Sequence, residues 1–275
     1  MTAIRKVGML GLGKMGLPMA KHLLAKGFNV AGFDPVDAAR ASAAALGVTM
    51  LASPHEVAQA SELVIVVVGF DHEVEAAIFG PGGIAEGGRQ GLVVAIGSTI
   101  APRNAVRLAE RMQSRGMVLL DAPLARGEAA AIAGKLLIYG GGDEKAFAAC
   151  RPAFGAFASD IFHLGPAGAG QVGKMVNNLL LWACTSANDE GLRLGEALGV
   201  KAETLRAALK AGSGQNWAMD NRAELSGMPW AEKDMSIVLH EADLARLSLP
   251  LCGTVKETIK GLKIRMDLGL PHGFE

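Results

Sequence analysis

KVGMLGLGKMGLPMAKHLLAKGFNVAGFD, residues 6 to 34, is the stretch from which the rest of the chain is read. IRKVGML reads as a strand, a glycine turn follows, a helix is expected from about Met15 to Lys26, and NVAGFD at 29–34 reads as a second strand. Gly11, Leu12, Gly13, Lys14, Met15 and Gly16 form G-x-G-x-x-G where such a motif carries meaning, directly after a strand and before a helix. Gly11 allows the tight turn, Gly13 lets a pyrophosphate approach the backbone, and Gly16 lets helix and strand pack closely. The helix N-terminus then faces the phosphates. Asp34 closes the second strand 18 residues after Gly16. An acid there accepts hydrogen bonds from a ribose 2′-OH and repels a 2′-phosphate, which favours NAD over NADP. The competing reading is a glycine turn and an aspartate beside Pro35 in an ordinary loop. Agreement of strand, turn, helix and acid favours the dinucleotide.

The same alternation continues outward. ELVIVVV (62–68) and GLVVAIG (91–97) are continuous apolar runs, as expected of parallel strands covered on both faces. GMVLLD (116–121) and GKLLIYGGG (134–142) follow in the same style, with helix-like segments such as 54–60 and 102–115 between strands. Alternating strand and helix implies an α/β Rossmann-type, doubly wound sheet. After IFHLGPAGAG (161–170) no convincing strand follows, and helices are expected at about 169–198, 201–211, 231–248 and 251–268. The expected organisation is a dinucleotide-binding domain over 1–164 and an all-helical substrate and oligomerisation domain over 165–275. A helix of roughly 45 Å, at the usual rise per residue, opens the second domain and bridges the two.

Composition narrows the function. Basic and acidic residues balance at 27 each among 275, so no net charge favours nucleic acid or an anionic membrane. The three cysteines, Cys150, Cys184 and Cys252, are widely spaced and make no C-x-x-C, which reads as reduced core residues in a cytoplasmic protein. His240-Glu241 begins like a zincin motif, but Leu244 stands where the second histidine belongs, and no metal site is expected. Lys14 interrupts the opening apolar run too early for a leader peptide, and the uncharged stretch 175–188 is too short to span a bilayer. Gly8–Lys14 and Gly168–Lys174 both read G-x-x-x-x-G-K, yet Met15 and Met175 occupy the place of the magnesium-binding hydroxyl. A nucleotide triphosphatase is therefore disfavoured.

GQVGKMVNNLLLWAC (170–184) is mostly apolar but carries Lys174, Asn177 and Asn178. Lys174 and Asn178 are four apart and share a helix face, whereas Asn177 lies about 100° round. Burial among Met175, Val176 and Leu179 to Leu181 would lower the lysine pKa toward working pH, as a general acid/base requires. Spacing alone equally allows a lysine that snorkels to solvent beside an asparagine that packs the helix.

Nearly the whole chain resembles the β-hydroxyacid dehydrogenase family, which includes 3-hydroxyisobutyrate dehydrogenase and tartronate semialdehyde reductase. The resemblance rests on GLGKMGLPMA (11–20), STI (98–100), DAPLARGEAAAIAGKL (121–136), GQVGKMVNN (170–178), GSGQNW (212–217) and KD (233–234). It implies that Lys174 is the catalytic acid/base and Asn178 its helper. Thr99, the backbone at Val68 and Gly69, and Lys233 would lie along the cofactor. Ser98, Ala125, Arg126 and Gly127 would bind substrate. The implied reaction is NAD-dependent interconversion of a small anionic 3-hydroxy acid and its aldehyde acid by a homodimer or homotetramer. Imine reductases share the architecture but usually lack the lysine, so its presence favours a C–O substrate. A non-catalytic dinucleotide-binding module is the alternative from another class.

The chain departs from the family where most members read D-A-P-V-S-G-G. Ala125 and Arg126 replace the serine and first glycine that usually cradle the substrate carboxylate. Arginine suits bidentate recognition of a carboxylate or a sulfonate, and a similar segment occurs in sulfolactaldehyde reductase. Arg126 is thus expected to grip the substrate's acid group, the other course being a turn outward to Glu128 or another surface carboxylate. Val68-Gly69 replaces a usual Leu-Pro, Ile96 a usual aspartate, and the segment from Trp217 to Lys233 is short.

Overall fold

The computed structural model describes residues 4–221 and 227–269, so part of the short Trp217–Lys233 segment lies outside the described residues. The opening unit forms as read: β1 (Lys6–Leu10), α1 (Gly16–Ala25), β2 (Asn29–Phe33). It is followed by α2 (Asp37–Ala45), β3 (Thr49–Met50), α3 (Pro54–Ala60), β4 (Leu63–Val66), α4 (Asp71–Phe79), α5 (Ile84–Gly87), β5 (Val93–Ile96), α6 (Pro102–Gln113) and β6 (Val118–Asp121). Then come β7 (Leu124–Ala125), α7 (Gly127–Ala133), β8 (Leu136–Gly141), α8 (Glu144–Phe154) and β9 (Ala158–Gly165).

These strands make one sheet in the order β3-β2-β1-β4-β5-β6-β8-β7, with β9 on β8. From β3 to β6 all neighbours are parallel. β8, whose segment reads in the same style as the parallel strands, runs antiparallel to β6 and β7. The physical reason is local: β7 and β8 are joined by a short helix, and the chain returns beside itself instead of crossing over. The segment 158–165, which is not among the expected strands, forms β9 parallel to β8.

The continuous apolar runs are explained by burial on both faces. Val7, Met9, Leu63, Ile65, Val93 and Ala95 point into one core with α1 and α8. Leu10, Val64, Val66, Val94 and Ile96 point into another with α3, α4 and α6. Burial of each valine, leucine, isoleucine or methionine among them contributes about 1.5–3 kcal/mol.

The chain divides into compact units at Met1–Lys174 and Met175–Glu275. The division falls inside α9 (Ala169–Ala197), which is followed by α10 (Ala202–Leu209), α11 (Trp217–Asp220), α12 (Ala231–Leu244) and α13 (Pro250–Arg265). In the second unit Trp182, Met235, Val238, Val255 and Ile259 form the core. Among the described residues no helix is long and apolar enough to cross a membrane.

Candidate functional site

The strand order reverses between β1 and β4, and the Gly loop follows β1 at this switch point, where open α/β sheets bind ligands. Gly11 has φ 87°, and a Cβ on it would lie 2.1 Å from Val67 O. A Cβ on Gly16 would lie 1.9 Å from Gly11 O, whereas one on Gly13 would meet nothing within 4 Å. The first and third glycines are therefore required by the protein's own packing. The second is not, and the room above it fits a dinucleotide pyrophosphate. Asp34 Oδ2 accepts from Leu12 N at 2.7 Å and its Oδ1 from Val36 N at 2.8 Å. One carboxylate thus holds both the Gly loop and the turn after β2, and each oxygen keeps a further lone pair. Met15 precedes α1 as its N-cap residue, and Lys14 lies 3.7 Å from Glu128.

The ends of β4, β5 and β6 are tied together beside this loop. Ser98 Oγ accepts from Val68 N at 2.8 Å and donates to Val66 O at 3.4 Å. Gly69 N and Phe70 N both donate to Glu73 Oε2, at 2.8 and 2.9 Å. The Ser98 hydroxyl is thus buried and engaged by backbone. It joins two strand ends. The Val68 and Gly69 amides are likewise engaged by side chains, and Thr99 next to them is half-buried.

Two residues without an assigned role organise the start of α9. Asp121, at the end of β6, accepts from Gly168 N at 2.8 Å and from Gln171 N at 2.9 Å. It therefore caps the helix. Burial pushes its carboxyl above the usual range, against the opposing pull of those N–H bonds. Gln171 Nε2 donates to Ser98 O at 2.9 Å, and its Oε1 accepts from Ile100 N at 3.1 Å. Asp121 and Gln171 stand inside the motifs read from sequence, but nothing in their spacing announces these bonds across 47 to 73 residues.

Lys174, half-buried, follows Gln171 by three residues on the same helix, and Asn178 is buried one turn further on. Asn177, set aside on angular grounds, donates through Nδ2 to Asn178 Oδ1 at 3.1 Å and so helps to orient that amide. In the second unit Lys233 is buried with its Nζ 5.5 Å from the centroid of the Trp230 ring, and its neighbour Asp234 accepts from Trp182 Nε1 at 3.1 Å. A cavity of about 720 Å³ there is lined by Thr185, Leu192, Arg206 and Met219 among others, and by none of the sequence-predicted site residues.

Ala125 is buried at the end of β7, and Arg126 and Gly127 both have positive φ, 85° and 75°. A left-handed backbone at 126 explains why a glycine usually stands there. Within this chain the Arg126 guanidinium is held by β9. Its Nη1 donates to Asp160 Oδ2 at 2.6 Å, to Ser159 Oγ at 3.0 Å and to Lys135 O at 3.1 Å. An adjacent carboxylate and two further acceptors on β9 and before β8 outweigh an open position, which is the outward course noted above.

A family profile described as the NAD binding domain of 6-phosphogluconate dehydrogenase matches residues 6–165. One described as NAD-binding of NADP-dependent 3-hydroxyisobutyrate dehydrogenase matches residues 168–268. The chain is 32% identical to 2-(hydroxymethyl)glutarate dehydrogenase of Eubacterium barkeri, over 93% of this chain and 88% of that one. It is 36% identical to NAD-dependent L-serine dehydrogenase of Pseudomonas aeruginosa, over 79% and 73%. The solved structure of Mycobacterium tuberculosis 3-hydroxyisobutyrate dehydrogenase with L-serine superposes with a TM-score of 0.87, at 28% identity and 96% coverage of both chains.

Proposed function

This chain belongs to the β-hydroxyacid dehydrogenase family, and we propose that it oxidises a small 3-hydroxy acid to its aldehyde acid with NAD, using Lys174 as acid/base. A nicotinamide dinucleotide is the cofactor of the family, and the room at Gly13 fits it. The observation that carries the reading is the anchoring of the Lys174 helix, through Asp121 and Gln171, to the strand ends beside the Gly loop. The relatives are named for L-serine and for 2-(hydroxymethyl)glutarate, and the solved structure is of a 3-hydroxyisobutyrate dehydrogenase with L-serine. Those compounds share a primary alcohol β to a carboxylate, which defines the proposed substrate class. The alternative substrate class, a sulfonate or other anionic aldehyde, would draw on Arg126, whose Nη1 pairs with Asp160.

When bound, the nicotinamide supplies the hydride acceptor. Lys174 removes the hydroxyl proton as the alcohol carbon is oxidised, and in reverse returns it to the forming alkoxide. Asn178, on the same helix face and oriented by Asn177, donates a hydrogen bond to the substrate oxygen. Ala125 and Gly127 offer backbone to the substrate acid group, Thr99 borders the cofactor, and Lys233 enters on family resemblance alone. Asp34 favours NAD through the ribose hydroxyl.

The test is reduction of NAD⁺, and separately of NADP⁺, with 3-hydroxyisobutyrate, L-serine, glycerate and 2-(hydroxymethyl)glutarate. One acid is expected to turn over, faster with NAD⁺. Lys174→Ala is expected to lose on the order of 10²–10⁴-fold in turnover while NADH still binds. Near-normal turnover by that variant would rule out the lysine mechanism.

A further inference from the structure

We propose that Gln171 is a positioning residue for this reaction: its buried carboxamide clamps the backbone on both sides of Thr99 and fixes that loop to the turn of α9 that carries Lys174. The inference rests on the reading of Lys174 as the acid/base.

Gln171 is 1% exposed, although glutamine in a helix usually faces solvent. Its Nε2 donates to Ser98 O at 2.9 Å while its Oε1 accepts from Ile100 N at 3.1 Å, so the two bonds bracket Thr99. Its own backbone N donates to Asp121 Oδ2 at 2.9 Å, which holds the residue from behind. Ser98 in turn binds Val68 N through its hydroxyl at 2.8 Å. The Gln171 side chain therefore joins the first turn of the lysine helix to the loop after β5, which the Ser98 hydroxyl ties to the end of β4. A carboxamide suits this task because it presents a donor and an acceptor side by side. Burying it costs little with both ends paired, and leaving either backbone partner unpaired costs more. Reaction geometry is sensitive to such a link, since displacement by about 1 Å can cost on the order of 10²-fold in rate.

The experiment compares Gln171→Leu and Gln171→Glu in the full chain, with Lys174→Ala as reference. Turnover is measured across pH, together with affinities for NADH and for ADP-ribose, which lacks the nicotinamide. Gln171→Leu is expected to lose on the order of 10²-fold in kcat and to weaken NADH, with ADP-ribose binding unchanged. In Gln171→Glu a protonated carboxyl reproduces the amide: its O–H donates to Ser98 O and its C=O accepts from Ile100 N. Burial and the neighbouring Asp121 both raise that carboxyl's pKa. Its kcat relative to wild type is therefore expected to rise as pH falls, while that of Gln171→Leu stays low.

Wild-type kcat in Gln171→Leu overturns the proposal, as does equal weakening of NADH and ADP-ribose. If Gln171→Leu does not fold, a flat kcat ratio across pH for Gln171→Glu overturns it instead. If no acid in the panel turns over, the contrast between NADH and ADP-ribose affinity decides alone. An active Lys174→Ala removes the lysine reading and this proposal with it. An inactive Lys174→Ala beside normal Gln171 variants removes this proposal only.

Discussion

Asp121 is enclosed by glycines: a Cβ on Gly141 would lie 2.6 Å from its Oδ1, and one on Gly170 2.8 Å from its Oδ2. This enclosure raises its carboxyl pKa, chiefly by desolvation. The folded state then holds more protons than the unfolded one between the ordinary carboxylate value and the raised one. Stability accordingly falls as pH rises through that window, and Asp121→Asn is expected to remove the slope. The same variant turns an NH₂ toward the N–H of Gly168 or Gln171. A loss of about 1–3 kcal/mol is expected in urea denaturation at neutral pH, and an unchanged midpoint would mean that the cap contributes nothing. Arg126 presents the opposite balance. A left-handed backbone costs a non-glycine residue about 1–2 kcal/mol, and an exposed ion pair returns about 0–1 kcal/mol. Arg126→Gly is therefore expected to leave thermal stability unchanged or slightly raised, and to leave KM for the hydroxy acid unchanged. A tenfold or larger rise in KM, taken as roughly 1.4 kcal/mol of lost binding, would return the guanidinium to the substrate. Both residues stand inside the DAPLARG segment that the sequence singles out. Side-chain direction at 126 was not legible, because Asp160 lies 34 residues on, in a strand that was not recognised.

At the scale of elements, the plainest strands in the sequence were the continuous apolar runs of β4 and β5, each with four buried apolar residues. β3 and β7 have two residues each, too few for any periodicity. β9 pairs with β8 alone and leaves Phe162 and Leu164 exposed, so its pattern resembles a linker. α8 contains Pro152, which reads as a breaker yet falls in the helix's last turn. The long α9, expected at about 169–198, spans Ala169–Ala197, and no proline interrupts its 29 residues. Helix-to-helix links outside the core are less visible and make a separate prediction. Glu75 on α4 accepts from Arg107 Nη2 at 2.7 Å and from Arg111 Nη1 at 2.5 Å, both on α6. The Arg107 and then the Arg111 hydrogen bonds hold its carboxyl at about 2. A depressed folded pKa contributes stability above the ordinary carboxylate range and loses it as pH falls toward about 2. The cluster is partly exposed, so solvent and salt weaken it. Glu75→Gln is expected to lower Tm modestly at neutral pH and to flatten its decline on acidification. Equal acid dependence in variant and wild type would show the cluster to be inert.

At the scale of the whole molecule, the two units differ in how they use apolar residues. Over Met1–Lys174 the large apolar side chains fill the two faces of the sheet. Over Met175–Glu275 the core is smaller, and many large apolar side chains stay at the surface, Leu180, Leu194, Leu247 and Leu251 among them. Leu198 is 75% exposed and Ile264 72%. Scattered exposed leucines are ordinary, but their number in one helical unit is a reason to test it for an interaction surface. Homo-oligomers are the commonest way to cover such a surface, most often through a twofold axis. The zero net charge opposes association only weakly. The purified protein is therefore expected to sediment as a dimer or tetramer. Leu198→Asp or Ile264→Asp should shift it toward the monomer, since a carboxylate at a closed apolar contact must be desolvated without a partner. Sedimentation velocity over a range of protein concentrations separates the outcomes. A wild-type monomer at every concentration would leave this apolar surface without a partner copy. An oligomer that both aspartate variants leave intact would place the interface elsewhere on the chain.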